Sequence, residues 1–340
     1  MNNNQQIAVG VLGCTGAVGQ KLIALLTKHP LFKITEVAAS ENSAGRPYAS
    51  AVNWREITSL PEQIGKLIVK RCSEKFTAKI LFSGLDSEIA GPIETYLAQQ
   101  GHIIVSNSKN HRLDTDVPLV IPEINADHFK LIARQKQQNQ TAGFIVTNPN
   151  CATVILAIAL FPIYRNFGLQ KILVTTMQAV SGAGYPGIPS LDILGNVIPH
   201  IKDEEYKLET ELLKIFGKQI DANIKFADFT ISAMCNRVPV CNGHTLAISL
   251  ATEIKVTSEA LVGALRGFPE CLQYFDEPMR PQPLLDVEAG NGMLVSAGDL
   301  RPCKVLDWKF TALGHNTIRG AAGAAILNAE HLVQAGYLTD

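Results

Sequence analysis

Cys151 stands between an Asn-Pro-Asn turn and a long apolar run in IVTNPNCATVILAIAL, residues 145–160. A thiol in the first turn of a helix feels the positive end of the peptide dipole, which favours thiolate and makes sulfur a nucleophile. The sequence therefore predicts a thiol pKa below the roughly 8.5 of a free cysteine. Such a nucleophile needs an acid or base within reach and a group that orients what it attacks. NRVPVCNGHT (236–245) places Arg237 and His244 on and just past one strand, and TTMQAVSGAGYPG (175–187) places Gln178 ahead of a glycine-rich turn. A guanidinium grips a carboxylate through two parallel hydrogen bonds, and an imidazole moves protons near neutral pH. Each residue alone has a bland reading, as a buried thiol, a core histidine or a surface arginine. Their combination is what favours a reactive site over three bland ones.

A second signal lies at the other end of the chain. IAVGVLG (7–13) is a continuous apolar run that stops at glycine, and GCTGAVGQKLIALLTKHP (13–30) continues with Gly13, Gly16 and Gly19, then leucines at helical spacing. Glycines at a strand-to-helix turn let the backbone approach a pyrophosphate, which the helix N-terminus attracts. The spacing is GxxGxxG rather than GxGxxG, and Thr15, Ala17 and Val18 complete the turn that would hold the dinucleotide. At the end of the next strand, VAASENSAGRPY (37–48) offers Ser40, Ser43 and Arg46. A hydroxyl-and-guanidinium cluster suits a 2′-phosphate better than a bare diol, so NADP is expected over NAD, with Glu41 the discordant residue.

The elements that must position these residues follow a clear rhythm. Strands at KITEVAAS, KILFSGL, HIIVSNS and GFIVTN, with PLVIPEI between the last two and a helix at GPIETYLAQQG, give a doubly wound α/β unit of the Rossmann type with a parallel sheet. Beyond Cys151 the strands KILVTTMQAVSG, FTISAMCNRVPV and GHTLAISLATEIKV are longer and partly alternating, with a charged helix near residues 203–216. That is an α+β unit with a mixed, largely antiparallel sheet. At 340 residues two domains are expected. The division falls at 1–150, cofactor binding, and 151–315, catalytic, with 316–340 returning to the first domain as a small-residue helix.

Composition restricts the partners. The chain is 46% apolar and 18% charged, with a net charge of −1, so no nucleic-acid surface is implied. The start MNNNQQIAVGVLG lacks a secretory pattern and the longest apolar run is too short to span a bilayer, which predicts a cytoplasmic protein without a membrane anchor. Seven cysteines without a CxxC pair argue against both a disulfide framework and a metal site.

GCTGAVG, SNSKNHR, TNPNCAT, MQAVSGAGYPG, DEEYK and NRVPVCNGHT, in that order, closely resemble the aspartate-β-semialdehyde dehydrogenase family in its archaeal and fungal form. The resemblance spans essentially the whole chain. It implies that Cys151 is the nucleophile, Gln178 orients substrate and His244 is the acid/base. It further implies that Arg237 binds the substrate α-carboxylate, Glu204 faces its amino group, Lys207 and Arg112 hold phosphate, and Asn150 lines the pocket. Ser181, Gly182 and Asn316 would bind the cofactor, Asn316 near the nicotinamide, and the oligomer would be a homodimer or homotetramer built through the second domain. Ala152 departs from the serine of many relatives. The implied reaction converts L-aspartyl 4-phosphate to L-aspartate 4-semialdehyde through a cysteine thioester. N-acetylglutamyl-phosphate reductase and malonyl-CoA reductase share that chemistry, and the Glu204/Lys207 pair favours the aspartyl substrate. A Cys–His hydrolase would have no use for the dinucleotide turn, and a non-catalytic NADP sensor none for the dyad.

Overall fold

The computed structural model describes residues 6–220 and 223–338. Its first sheet is built from β1 (Ile7–Leu12), β2 (Phe32–Ala39), β3 (Val69–Arg71), β4 (Ile80–Ser83), β5 (Ile103–Ser106) and β6 (Phe144–Thr147). The order is β3-β2-β1-β4-β5-β6 and every pairing is parallel, so the chain reverses direction across the sheet between β1 and β4. Val9 and Val11 are fully buried on one face, and Leu12 and Leu81 on the other, as a sheet covered on both sides requires. The stretch PLVIPEI adds only a bridge from Leu119 to Thr147 and a helical turn at Pro122–Asn125. Pro118 and Pro122 have no N–H to donate to a ladder.

After β1 the chain turns at Gly13, where φ is +72° and an added Cβ would lie 2.6 Å from the Gly84 carbonyl oxygen. Only glycine fits there. The helix Ala17–Leu26 follows, and its N-cap, Gly16, makes no side-chain capping bond.

The second sheet contains β7 (Lys171–Gln178), β10 (Thr230–Arg237), β11 (His244–Ala251), β12 (Leu272–Phe275), β13 (Val295–Pro302) and β14 (Trp308–Gly314), while β8 (Lys218–Ile220) and β9 (Asn223–Lys225) form a separate small pair. Its order is β10-β7-β11-β14-β13-β12, antiparallel through the middle and parallel at both edges. Alternation sends Ile172, Val174, Leu246 and Ile248 inward, against the helix Cys151–Phe167. That helix is buried almost all round, fully from Ala152 to Leu160, and it shares its core with Leu208 and Leu212 of the helix Glu204–Ile215. The last helix, Gly323–Gln334, packs Ala325, Ile326 and Ala329 into the cluster that holds Val9 and Val11 of β1. No helix of the described residues is long and apolar enough to cross a membrane.

Candidate active site

Strand parity assembles the first part of the site. Gln178, Arg237 and His244 all sit at inward positions at one end of three neighbouring strands, and Gln178 is register-paired with Arg237. The inward face meets the N-terminus of the helix that begins at Cys151. Asn150 is its N-cap, and the Asn150 side-chain oxygen accepts the N–H groups of Ala152 at 2.9 Å and Thr153 at 3.2 Å. An Asn that caps in this way stops the helix one residue before the thiol. Both capping bonds come from the Asn150 side chain to backbone N–H groups, so the cap forms without a hydroxyl at Ala152.

Cys151 Sγ lies 3.2 Å from His244 Nε2. On the other side of the ring, Nδ1 accepts the Ala179 backbone N–H at 3.1 Å. That bond assigns the proton of the neutral imidazole to Nε2, facing the sulfur. Burial, with Arg237 and His315 nearby, pushes His244 down to about 3, opposed by Glu204. Protonating Nδ1 would also turn it against the Ala179 N–H. Cys151 is partly exposed at the cleft, yet the protein atoms crowded round it, then the Glu204 charge, push its thiol up to about 12 against Arg112, Arg237 and Lys207. The expected depression of the thiol is therefore corrected. A helix N-terminus contributes only partial charges, Asn150 already occupies two of its N–H groups, and desolvation outweighs what remains.

Charged residues surround the pair. Arg237 is buried, its Nη1 donating to the Ala179 carbonyl at 2.8 Å. Gly182 permits this, since an added Cβ would sit 2.8 Å from Arg237 Nη1 and 3.1 Å from His244 Cε1. Glu204 accepts Asn150 Nδ2 at 2.8 Å and Lys207 Nζ at 2.9 Å. Burial alone would raise its carboxyl, but the charge and hydrogen bond of Lys207 and the Asn150 bond prevail and hold it below the usual range. Gln178 is buried, with Nε2 on Thr176 Oγ1 at 3.3 Å. Arg112 and Lys207 line one cleft as like charges, each held by its own carboxylate, Glu211 and Glu204.

A second cleft of about 290 Å³ brings Ala17 and Val18 of the glycine turn together with Cys151, Asn150, Arg112, Ser181, Gly182 and Asn316. Asn316 ties two of its walls, donating to Ser181 Oγ at 2.8 Å and accepting the Gly243 N–H at 2.8 Å. The uncapped N-terminus at Gly16, the absence of an acidic residue in that first turn, and the glycine-only approach at Gly13 all fit a dinucleotide pyrophosphate. Gly19 belongs to the packing of this turn, where a Cβ would meet the Gly13 carbonyl oxygen at 2.2 Å. Thr15 is fixed by its carbonyl, which accepts Gln20 Nε2 at 2.9 Å. Ser40, Ser43 and Arg46 lie in one exposed loop beyond β2, outside the lining of this cleft, and the Arg46 guanidinium rests on the Ser50 carbonyl. Residues that sequence reasoning missed include Glu211, Lys214 and Gly320, whose Cβ would come within 2.7 Å of Cys151 Cβ. Lys207, Glu211 and Lys214 fall three, seven and ten residues after Glu204 along the helix, a spacing that shares one face.

The fold and site define a class: dinucleotide-dependent oxidoreductases that form an acyl thioester on a cysteine. Two family models match, one described as the semialdehyde dehydrogenase NAD binding domain over residues 8–132 and one as the semialdehyde dehydrogenase dimerisation domain over residues 160–319. The chain is 46% identical to an aspartate-semialdehyde dehydrogenase of Archaeoglobus fulgidus, covering 96% of this chain and 98% of that one. It is 42% identical to the enzyme of that name from Schizosaccharomyces pombe, covering 97% and 99%. The crystal structure of aspartate semialdehyde dehydrogenase with NADP from Candida albicans superposes with a TM-score of 0.88 at 38% identity, covering 96% and 98%. The chain belongs to the aspartate-semialdehyde dehydrogenase family, enzymes of amino-acid biosynthesis that interconvert L-aspartyl 4-phosphate and L-aspartate 4-semialdehyde.

Proposed function

We propose that the cleft between the glycine turn and Cys151 carries out NADP-dependent reductive dephosphorylation of L-aspartyl 4-phosphate, reversibly, with the residue roles that follow. The observation that carries this reading is the 3.2 Å contact of Cys151 Sγ and His244 Nε2 between a buried guanidinium, Arg237, and a buried carboxylate, Glu204. The substrate is an α-amino acid with its reacting carbon at the far end. Arg237 suits the α-carboxylate, Glu204 the ammonium, and Cys151 the 4-carbonyl. Gln178, beside Arg237 in register, orients the bound chain.

The sulfur bonds to the 4-carbonyl carbon, the carbon–oxygen bond to phosphate breaks, and the thiol proton leaves with the phosphate. His244 serves as a donor: its Nε2–H lies on the sulfur at rest and turns to the carbonyl oxygen as negative charge gathers there. Arg112 and Lys207 neutralise the departing phosphate. NADPH supplies a hydride to the thioester carbon when bound. His244 then donates toward the resulting oxyanion; as the carbonyl re-forms, the carbon–sulfur bond breaks to release the aldehyde, and the sulfur regains its proton from solvent, the one proton that the reduction consumes. Gly13, Thr15, Gly16, Ala17, Val18 and Gly19 form the pyrophosphate turn, Ser40, Ser43 and Arg46 the 2′-phosphate contact, and Ser181, Gly182 and Asn316 the wall at the nicotinamide. Residues 1–150 and 316–340 serve the cofactor and 151–315 the substrate, a division supported by the separate hydrophobic clusters.

The outer face of the second sheet exposes Leu173 and Met234, and Leu191, Leu194 and Val197 protrude from the 182–200 segment. These apolar groups support a homodimer or homotetramer formed through this domain, and the cytoplasm is its proposed compartment. Phosphate-dependent NADP reduction with L-aspartate 4-semialdehyde, run beside N-acetylglutamate 5-semialdehyde and malonate semialdehyde, tests the assignment. A preference for either competitor would overturn it.

A further inference from the structure

The helix Glu204–Ile215 presents one charged face to the nucleophile, and only its first half has a role in the chemistry above. Glu211 and Lys214, on its later turns, are 2% and 1% exposed. Ionised side chains are costly to bury unless every bond is satisfied, so their partners matter. One Glu211 oxygen accepts Arg112 Nη1 at 2.8 Å, and the other accepts the backbone N–H of Asn150, the cap of the Cys151 helix, at 2.6 Å. Lys214 Nζ donates to three carbonyls of the loop that carries Arg112: those of Arg112 at 2.8 Å, Asp114 at 2.7 Å and Val117 at 2.8 Å. The main chain and the guanidinium of Arg112 are thus gripped by the same helix.

The guanidinium of Arg112 is not fully satisfied within the protein. Its Nη2 donates to the Asn107 carbonyl at 2.7 Å, while its Nε is buried with no hydrogen-bond partner among the described residues. A buried cationic N–H without an acceptor is destabilising by about 1–3 kcal/mol or more. The same side chain lines both the cleft of Cys151 and the cleft of Lys207.

We propose that Glu211, backed by Lys214, is a positioning residue that aims Arg112 at a phosphoryl oxygen and ties that aim to the helix cap beneath Cys151. One carboxylate thereby fixes the distance between the phosphate-binding cation and the attacking sulfur. The inference rests on the reading of Arg112 as a phosphate ligand.

Glu211→Gln tests it in the aldehyde-oxidising direction. Glutamine can still accept the Asn150 N–H, but it loses the charged bond to Arg112. The KM for inorganic phosphate should rise roughly tenfold, while the KM values for aldehyde and NADP stay within about twofold. In an Arg112→Ala background the same substitution should add no further rise, because the residue through which Glu211 acts is gone. Lys214→Met should raise the phosphate KM in the same selective way. If Glu211→Gln does not accumulate folded, Glu211→Asp keeps the charge, loses a methylene of reach, and is read identically. An unchanged phosphate KM, a parallel rise in all three KM values, or a full additional effect without Arg112 would overturn the proposal. A wild-type enzyme that ignores phosphate would instead overturn the functional reading itself.

Discussion

The protonation state of the resting pair can be tested directly by alkylating Cys151. With a thiol pushed up to about 12, the thiolate fraction at pH 7.5 is roughly 3 × 10⁻⁵, against about 0.1 for a free cysteine of pKa about 8.5. A more basic thiolate attacks faster, with a Brønsted slope of about 0.4–0.5, which recovers about 1.6 of those 3.5 decades. Cys151 should therefore react with iodoacetamide about a hundredfold more slowly than free cysteine. Cys303, held below the ordinary thiol range by the Leu306 and Val305 N–H groups, and the exposed Cys241 should be labelled before it. The sign of the pH dependence follows from the raised pKa: each unit of pH adds tenfold thiolate, so log rate should climb with unit slope from about pH 6.5 to 10 without a plateau. Glu204 is the second cause of the upward push, so Glu204→Gln should raise the rate at fixed pH. Peptide mapping of the alkylated enzyme over that pH range gives the site-resolved rates. A plateau with a midpoint below about 9, or Cys151 labelled first at neutral pH, would refute the neutral-thiol state.

Arg237→Lys should lower kcat/KM for the aldehyde by roughly 10- to 100-fold, since a point charge cannot reproduce two parallel bonds to a carboxylate; near-normal turnover with unchanged KM would remove Arg237 from the carboxylate site. NADP should be preferred over NAD in kcat/KM, and Arg46→Ala should narrow the ratio without changing the NAD value, whereas equal constants in the wild type would make the Ser40–Arg46 loop plain surface. Gly182→Ala should cut kcat/KM by roughly tenfold or more with little change in Tm, because its Cβ would press on Arg237 and His244; full activity would show that the loop shifts freely away from both.

Much of this site is local in origin, and that part was legible. The apolar run at β1, the left-handed turn at Gly13 and the helix after it are dictated within a dozen residues, and so is the cap that leaves Cys151 on the first turn. The convergence of Gln178, Arg237 and His244 was less accessible. It requires β10 and β11 to flank β7 with matching parity, and the parallel partner of β7 follows it in sequence by some fifty residues. Alternation says which residues share a face of one strand, but not which strands are neighbours. Glu211 and Lys214 resemble the solvated side of an amphipathic helix, and no window on that helix reveals that the Arg112 loop covers them.

The thiol shows where local reasoning fails in sign and not only in detail. A helix end acts over one turn, so the neighbours of Cys151 in sequence, taken alone, predict an activated thiol. Desolvation is set by what arrives from elsewhere: the His244 strand, Gly320 against the Cys151 Cβ, and the Glu204 carboxylate. Those same arrivals supply Arg237 and the Nε2–H donor. Burial that disfavours a free thiolate also excludes water from an acyl thioester, which would otherwise hydrolyse instead of accepting hydride. A site that must hold a water-sensitive acyl group gains from a sulfur that stays protonated until a bound substrate is in place to take up the proton. The raised thiol and the depressed imidazole then share one leading cause, burial, and the pair is suited to acyl transfer within a crowded cleft rather than to standing nucleophilicity toward solvent.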